Sequence, residues 1–204
     1  MSDPNEACYD LALKVLLYLD KSQDLCIRFS SDAGSFAGLD ADRARINDNL
    51  GFACFSDASW GGKAPAYGFC CFLANGPVSF AAKKLKSAES SCEAEYSAAY
   101  QAAREISFLR NVLDDIGYGA MGSTILGVDN TAAIDVANDY GVTARTKHFE
   151  RVVHFLRETV SDLRVKLVFV RTVNQLADIF TKPLGKTDFL RLRRSFLVIP
   201  NLEQ

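Results

Sequence analysis

Four acidic residues have side chains that could jointly bind metal ions, although they lie far apart along the chain: Asp57, Glu95, Asp129 and Asp178. Asp57 follows the apolar segment 51–56, and Asp129 follows the apolar segment 125–128. A carboxylate that directly follows an apolar strand is expected at the rim of a sheet, where sites in α/β folds are usual. A simpler role is open for Asp129, because an Asp in this position also caps the helix after it.

The other two carboxylates are placed by helices. Ser90 and Glu93 have the spacing of a capping box, which gives Glu93 a structural role. At about 100° per residue, Glu95 lies almost opposite Glu93 and in line with an apolar stripe that runs to Leu113. Because burying an unpaired charge is costly, Glu95 is predicted to point toward the strand-end aspartates. Asp178 lies in the first turns of a short helix, where interaction with the helix dipole is the alternative role.

Carboxylates that meet in one place favour a particular chemistry. They repel one another and raise one another's pKa unless a cation neutralises them. Oxygen-only ligands select hard cations such as Mg²⁺ or Mn²⁺. Two such ions about 3.5–4 Å apart can activate water and stabilise the leaving oxygen in phosphodiester cleavage. The four residues therefore predict metal-dependent hydrolysis of a phosphodiester.

The order of the predicted elements favours a mixed α/β sheet with helices packed on it, since three strands come first and strands then alternate with helices. The predicted strands are 50–56, 67–73, 77–82, 124–128 and 165–170. The predicted helices of this part of the chain are 91–115, 131–138, 147–160, 175–182 and 186–196.

The N-terminal segment is predicted to be an appendage to the main domain. A helix over residues 7–20 is apolar on nearly every face, so it needs burial on most sides. A short strand at 25–29 and a loop at 30–49, rich in Ser, Asp and Gly, follow it. We therefore expect an N-terminal part, residues 1–47, and a main domain, residues 48–204.

Composition favours a soluble, intracellular protein. The chain has 49% hydrophobic and 24% charged residues, which is typical of globular domains. Its polar start does not resemble a secretory signal, and no apolar stretch is long enough to span a bilayer. The six cysteines form no C-x-x-C pair, so we expect reduced cysteines that act as small hydrophobic residues.

Charge is unevenly distributed along a chain whose net charge is only −2. Residues 1–60 hold ten acidic against five basic residues, whereas residues 141–171 hold three against seven and residues 182–194 hold one against five. Such separation can give a nucleic-acid-binding basic face to a protein of near-zero net charge. Ordinary solvated surface segments are the alternative.

Five blocks of sequence, in this order and spacing, carry a family resemblance: 56–60 (SDASW), 90–96 (SSCEAEY), 129–133 (DNTAA), 146–151 (TKHFER) and 175–184 (QLADIFTKPL). Together they resemble the ribonuclease H domains of copia-type retrotransposons, over about residues 50–195. Residues 12–19 resemble the helix that ends the preceding reverse transcriptase in such polyproteins.

The resemblance implies a ribonuclease H-like fold, a five-stranded mixed sheet flanked by helices, here with an N-terminal helical appendage. It also implies that Asp57, Glu95, Asp129 and Asp178 are catalytic residues and metal ligands for two Mg²⁺ or Mn²⁺ ions. The implied activity is that of an endonuclease that cuts the RNA strand of RNA–DNA hybrids during reverse transcription. Such an enzyme reads 2′-hydroxyls and backbone shape rather than base sequence.

The implied setting is a retrotransposon polyprotein, and no membrane partner is expected for this chain. The reverse transcriptase region of the same polyprotein is the expected protein partner. The expected location is a retrotransposon particle in the cytoplasm, with the nucleus as an alternative.

A second group of residues is expected to contact the hybrid: Asn130, Arg145, Lys147, His148, Arg151, Lys83 and Lys84. His148 lies among cations in the sequence, and a purely structural role is its alternative. Against the family pattern, Ser59 and Glu150 each stand where Asp is usual, and Cys92 stands where Thr is usual. No His lies between the last predicted strand and Asp178, so product release is expected to differ.

Two other functions remain open from the sequence. One is an inactive or domesticated fragment that binds nucleic acid or scaffolds a reverse transcriptase, although four intact carboxylates argue against decay. The other is a different nuclease or an integrase on the same fold, because a fold does not determine function. Integrases of this fold have Glu as the last acidic residue, whereas Glu is second here.

Overall fold

The computed structural model describes residues 5–30, 51–61, 65–85, 88–119, 122–138 and 150–200. Its centre is a five-stranded sheet with the order β3-β2-β1-β4-β5. The strands are β1 (Ala53–Ser59), β2 (Ala66–Leu73), β3 (Gly76–Lys84), β4 (Thr124–Val128) and β5 (Val165–Phe169). The first three pair antiparallel, and β4 lies parallel to both β1 and β5. The expected mixed sheet is confirmed.

Helices cover both faces of this sheet: α2 (Ser91–Asp115), α3 (Thr131–Asn138), α4 (Glu150–Ser161), α5 (Asp178–Thr181) and α6 (Lys186–Arg193). A further helix, α1 (Glu6–Asp20), precedes them in the chain. Successive residues of a strand point to opposite faces. Cys54 of β1 thus enters the core under α2, α3 and α4, whereas Ala53 and Phe55 enter the core that includes Leu192 of α6. Burial on both faces explains why β1 is apolar without alternation.

The long helix α2 begins where the capping box predicts. The Ser90 side chain accepts a hydrogen bond from the Glu93 backbone N–H at 3.2 Å, and Glu93 Oε2 accepts one from the Glu89 N–H at 2.7 Å. The side chains of Ala98, Ala99 and Ala102 are fully buried. Because these side chains are small, the first half of α2 can approach the sheet closely.

Several predicted elements have different bounds in the structure. β1 continues beyond Asp57 to Ser59, because β2 pairs with it throughout and places Gly68 opposite Asp57. Within the predicted helix 175–182 only the four-residue α5 is helical, and a 3₁₀ turn at Thr172–Asn174 precedes this segment. The predicted strand 25–29 is reduced, within the described part of the chain, to a single bridge between Cys26 and Val198.

Two of the cysteines meet inside the sheet. Cys54 and Cys71 lie directly opposite each other in β1 and β2, with their sulfur atoms in contact. The sequence gives no sign of this pairing, because the register of two strands brings the residues together. Cys70 points to the other core, as the alternation of side chains along a strand predicts.

Among the described residues, the N-terminal helix α1 contacts the main domain through Tyr18, near the end of the helix. None of its residues is buried, and apolar residues such as Leu11 and Leu16 are 61% and 60% exposed. Tyr18 packs edge-to-face on Phe189, with 5.7 Å between ring centroids, and accepts a hydrogen bond from Arg193 at 3.2 Å. The burial expected for this helix is therefore not supplied by the described chain. None of the helices described is long and apolar enough to cross a membrane.

We propose that residues 1–47 form an appendage, with a boundary near residue 48 that lies outside the described residues. Removal of residues 1–45 is expected to preserve the fold and to improve solubility, because it removes the exposed apolar side chains of α1. A small loss of stability is expected with the Tyr18 and Cys26 contacts. Circular dichroism and thermal unfolding of the two chains measure this.

The matched control is Leu16→Lys in the full chain, which changes only the exposed apolar surface. It is expected to improve solubility without lowering the unfolding temperature. A trimmed protein that fails to fold would show that α1 belongs to the core of the domain.

Candidate active site

The position of Asp57 in the site is fixed by the sheet. It lies inside β1, not at its end as predicted, and it is fully buried. Its Oδ2 accepts a hydrogen bond from the Thr181 hydroxyl, and its Oδ1 accepts one from Lys182 Nζ at 3.1 Å. Both donors come from the end of α5. A carboxylate inside a paired strand has little freedom to move, so Asp57 is held in place by the sheet.

Glu95 projects from the second turn of α2 toward the same place. Burial is the largest cause that raises its pKa, to about 9, and the charges of Asp57 and Asp129 add to it. Among the described residues, Glu95 Oε2 is buried and has no hydrogen-bond partner. An orphaned buried carboxylate oxygen indicates a missing cation or proton donor. The prediction that Glu95 points to the aspartates, and Glu93 does not, agrees with these contacts.

Asp129 follows β4, as predicted. Its Oδ2 accepts a hydrogen bond from the Thr172 hydroxyl at 3.1 Å, in the 3₁₀ turn after β5. Burial raises the pKa of Asp129, and the charge of Asp57 raises it further. The capping role that was open for Asp129 belongs to Asn130, whose Oδ1 accepts a hydrogen bond from the Ala133 N–H at 3.2 Å. Asp129 is thereby left for another role.

The structure brings three of the four predicted carboxylates into one cluster. One carboxylate oxygen each from Asp57, Glu95 and Asp129 lie within 4.8 Å of one another. β1 and β4 are parallel neighbours, so the residues toward their carboxyl ends meet at one edge of the sheet. The start of α2 supplies the third. Three hard oxygen donors, one of them from Glu95 with its unpartnered Oε2, fit a divalent cation such as Mg²⁺ or Mn²⁺.

The fourth carboxylate, Asp178, reaches the cluster through a lysine. Lys182 Nζ lies 2.8 Å from Asp178 Oδ1 and 3.1 Å from Asp57 Oδ1. Burial raises the pKa of Asp178 to about 6, against the hydrogen bond from Lys182, which lowers it. Burial alone would lower the pKa of Lys182, but its bond to Asp178 and the charge of Asp57 outweigh this and raise that pKa.

Close packing holds α5 at this position. A Cβ added to Gly68, opposite Asp57, would lie 2.6 Å from Phe180 Cβ and 3.1 Å from Thr181 Cγ2. Only a glycine in β2 lets α5 lie this close to the sheet. The contact brings Thr181 and Lys182 within reach of Asp57.

Three residues of the site were missed as functional candidates in the sequence: Thr181, Lys182 and Gln175. Gln175 is fully buried, and its Nε2 donates to the Ser56 carbonyl at 3.0 Å while its Oε1 accepts from the Ala177 N–H at 3.2 Å. It thereby ties the turn before α5 to the residue that precedes Asp57. The sequence signal that could have identified them is their position in the block 175–184, in which Lys182 lies one helical turn after Asp178.

The predicted substrate contacts are only partly within the described chain. Lys83 and Lys84 are exposed at the end of β3, opposite Tyr67 and Ala66 of β2, and thus at the same edge of the sheet as Asp57. Arg151 is exposed at the start of α4. Arg145, Lys147 and His148 lie outside the described residues.

No protein-family profile matches the chain. The chain is 31% identical, over 157 residues, to the Retrovirus-related Pol polyprotein from transposon RE2 of Arabidopsis thaliana. The match covers 74% of this chain and 11% of that relative. It is also 31% identical over 147 residues to the corresponding polyprotein from transposon RE1, covering 70% and 10%. The chain is homologous to part of a retrotransposon Pol polyprotein.

Further comparisons agree with this relationship. The polyprotein from transposon TNT 1-94 of Nicotiana tabacum is 27% identical over 191 residues, which cover 93% of this chain and 13% of the relative. The chain thus spans only about a tenth of the length of these Pol polyproteins. The expected kinship to retrotransposon polyproteins is confirmed.

Two solved structures are similar to this chain at low sequence identity. RNase H1 from Halobacterium salinarum NRC-1 has a TM-score of 0.48 and 17% identity, covering 69% of this chain and 97% of the other. LC11-RNase H1 in complex with RNA/DNA hybrid has a TM-score of 0.47 and 14% identity, covering 63% and 92%.

Proposed function

We propose that this chain is the ribonuclease H domain of a retrotransposon Pol polyprotein, an endonuclease that cuts the RNA strand of RNA–DNA hybrids. The observation that carries the proposal is the cluster of Asp57, Glu95 and Asp129 with a buried, unpartnered oxygen on Glu95. The homology to Pol polyproteins supports it, because reverse transcription produces hybrids whose RNA strand has to be removed.

Asp57, Glu95 and Asp129 would hold one Mg²⁺ or Mn²⁺ ion, and Asp57 with Asp178 would hold a second. When bound, the ions supply activation of the attacking water and stabilisation of the leaving oxygen. The protein supplies rigid donors, because Asp57 is fixed in β1 and Glu95 in α2. Glu95, with a pKa of about 9, holds its proton at neutral pH without a cation and has to release it to become a ligand.

The proposed partners follow from the surface of the domain. The hybrid would lie across the edge of the sheet that carries Asp57, Lys83 and Lys84. The reverse transcriptase region of the same polyprotein would cover the apolar side chains that α1 leaves exposed. The proposed location is a cytoplasmic retrotransposon particle, with the nucleus as the alternative.

The proposal is tested with three duplexes of one base sequence: an RNA–DNA hybrid, an RNA duplex and a DNA duplex, each labelled on one strand or the other. In Mg²⁺, only the RNA strand of the hybrid is expected to be cut. Cleavage of the DNA duplex would indicate a different nuclease. Binding of the hybrid without cleavage of any strand would indicate an inactive, scaffolding fragment.

Removing positive charge at Lys147 and Arg151 is expected to weaken binding of the hybrid and to reduce its dependence on salt. Each phosphate contact contributes about 0.9 to the slope of log K against log[salt], so the double Gln variant should lose up to about 2. Fluorescence anisotropy at several salt concentrations measures the slope. Lys14→Gln in α1 is the matched control and should leave it unchanged. An unchanged slope in the double variant would indicate that Lys83 and Lys84, and not Lys147 and Arg151, contact the phosphates of the hybrid.

A further inference from the structure

Lys182 separates Asp178 from the other three carboxylates. Its ammonium group makes ion pairs with Asp57 at 3.1 Å and with Asp178 at 2.8 Å. Asp178 is absent from the cluster formed by Asp57, Glu95 and Asp129, whose oxygens converge within 4.8 Å. The four predicted metal ligands therefore form a group of three and a single residue, with the Lys182 ammonium group between them.

The position of Lys182 is set by the end of α5. Its backbone N–H donates to the Asp178 carbonyl at 3.0 Å, and its extended backbone ends the helix at this point. The neighbouring Thr181 hydroxyl bonds to the second oxygen of Asp57. Both oxygens of Asp57 are thus engaged by α5, whereas Glu95 keeps an unpartnered oxygen.

The lysine is anchored at its backbone, whereas its side chain lies partly in solvent. Its side chain is 33% exposed, whereas that of Asp57 is fully buried. Long lysine side chains change rotamer easily and are stabilised in water. The ammonium group can therefore leave Asp57 and Asp178 without any change in the packed core.

We propose that Lys182 is a positioning residue that holds Asp57 and Asp178 in place of a second divalent cation and has to be displaced before that cation binds. The inference rests on the proposed function, since it takes the four carboxylates as metal ligands. A first ion would use Asp57, Glu95 and Asp129, and Lys182 makes an ion pair with only one of these three, Asp57. A second ion needs the oxygens of Asp57 and Asp178 that Lys182 occupies. The two ions therefore bind in order, the second more weakly.

The test is a titration of the full chain with Mn²⁺, in which free Mn²⁺ is counted by electron paramagnetic resonance. Wild type is expected to bind one ion tightly and a second more weakly. Lys182→Met is expected to tighten the second ion by at least about tenfold and the first by less, because it removes a positive charge from the second position. The unfolding temperature of Lys182→Met in chelator is expected to fall, because Asp57 and Asp178 lose their counter-ion.

Two further variants separate charge from packing. Lys186→Met, an exposed lysine at the start of α6, is the control and should change neither affinity nor unfolding temperature. Lys182→Arg keeps the charge and should keep the second ion weak, which tests the proposal even if Lys182→Met does not fold. Asp178→Asn should lose the weak ion and keep the tight one.

The outcomes distinguish this inference from the function on which it rests. A second-ion affinity in Lys182→Met that equals or falls below that of wild type would overturn the displacement of Lys182. If wild type bound no Mn²⁺ at all, the proposed metal site itself would be wrong. Tight binding of two ions by wild type would leave the proposed function in place and overturn only the role of Lys182.

Discussion

Glu95→Gln is expected to lower the rate of hybrid cleavage by at least about 10³-fold, the order lost when one member of a catalytic unit is removed. The amide keeps the size of the side chain but removes the charge that would hold a divalent cation beside Asp57 and Asp129. Because Glu95 Oε2 has no hydrogen-bond partner among the described residues, the fold should tolerate the change. Single-turnover cleavage of a labelled hybrid measures the effect.

The matched control is Glu93→Gln, two residues earlier on the same helix. Glu93 caps α2 through the Glu89 N–H, a bond that a glutamine oxygen can also accept. Cleavage by this variant should remain near that of wild type, and its unfolding temperature should change little. Equal losses of activity in both variants would contradict the assignment of Glu95, and not Glu93, to the site.

In the presence of a chelator, the stability of the protein is expected to fall as the pH rises from about 5 to about 9. The pKa of Glu95 is about 9 in the folded chain against an ordinary value of 4.5, so the folded chain keeps a proton there that the unfolded chain has released. Stability falls with pH wherever the folded state binds more protons, by at most about 1.4 kcal/mol per pH unit for each proton. Asp178, with a pKa of about 6, adds to the slope in the lower part of this range.

Thermal unfolding at a series of pH values measures this dependence. Adding Mn²⁺ should raise the unfolding temperature most at high pH, because a ligand that binds only the folded state stabilises it and the cation replaces the proton. Glu95→Gln in chelator should lose the part of the slope above pH 6. A wild-type unfolding temperature in chelator that stays constant or rises over this range would contradict the described electrostatics of the cluster.

Features set by local sequence could be predicted well. The bounds of α2 follow from its capping box and its apolar stripe, and 91–115 was predicted and observed. The direction of Glu95 follows from the same periodicity, because a helix fixes which residues share a face. β4 was likewise predicted at its observed bounds, since a short apolar run between turns is a local signal.

Features set by pairing between distant segments could not be predicted. Asp57 lies inside β1 because Gly68 of β2 is opposite it, and no property of residues 51–57 indicates that partner. The pairing of Cys54 with Cys71 depends on the same register. Lys182 is visible in the sequence as a helix neighbour of Asp178, but its second partner, Asp57, lies 125 residues away.

The short α5 illustrates how a buried polar side chain changes local structure. The segment 175–182 has the pattern of a helix, yet the structure is helical only over Asp178–Thr181. The Gln175 side chain turns inward to bond the Ser56 carbonyl and its Oε1 takes the Ala177 N–H. A side-chain oxygen that accepts a hydrogen bond from a backbone N–H competes with the helical hydrogen bond of that N–H. Here the hydrogen bond of Gln175 to β1 favours the non-helical arrangement.

The most direct test of the proposed function compares wild type with Asp57→Asn on one labelled RNA–DNA hybrid. Wild type should cut the RNA strand in Mg²⁺, stop in excess chelator and resume when Mg²⁺ is restored. Asp57→Asn should remain folded and bind the hybrid but show no cleavage under any of these conditions. Cleavage that survives the chelator, or that proceeds equally in Asp57→Asn, would contradict a metal-dependent nuclease centred on this carboxylate cluster.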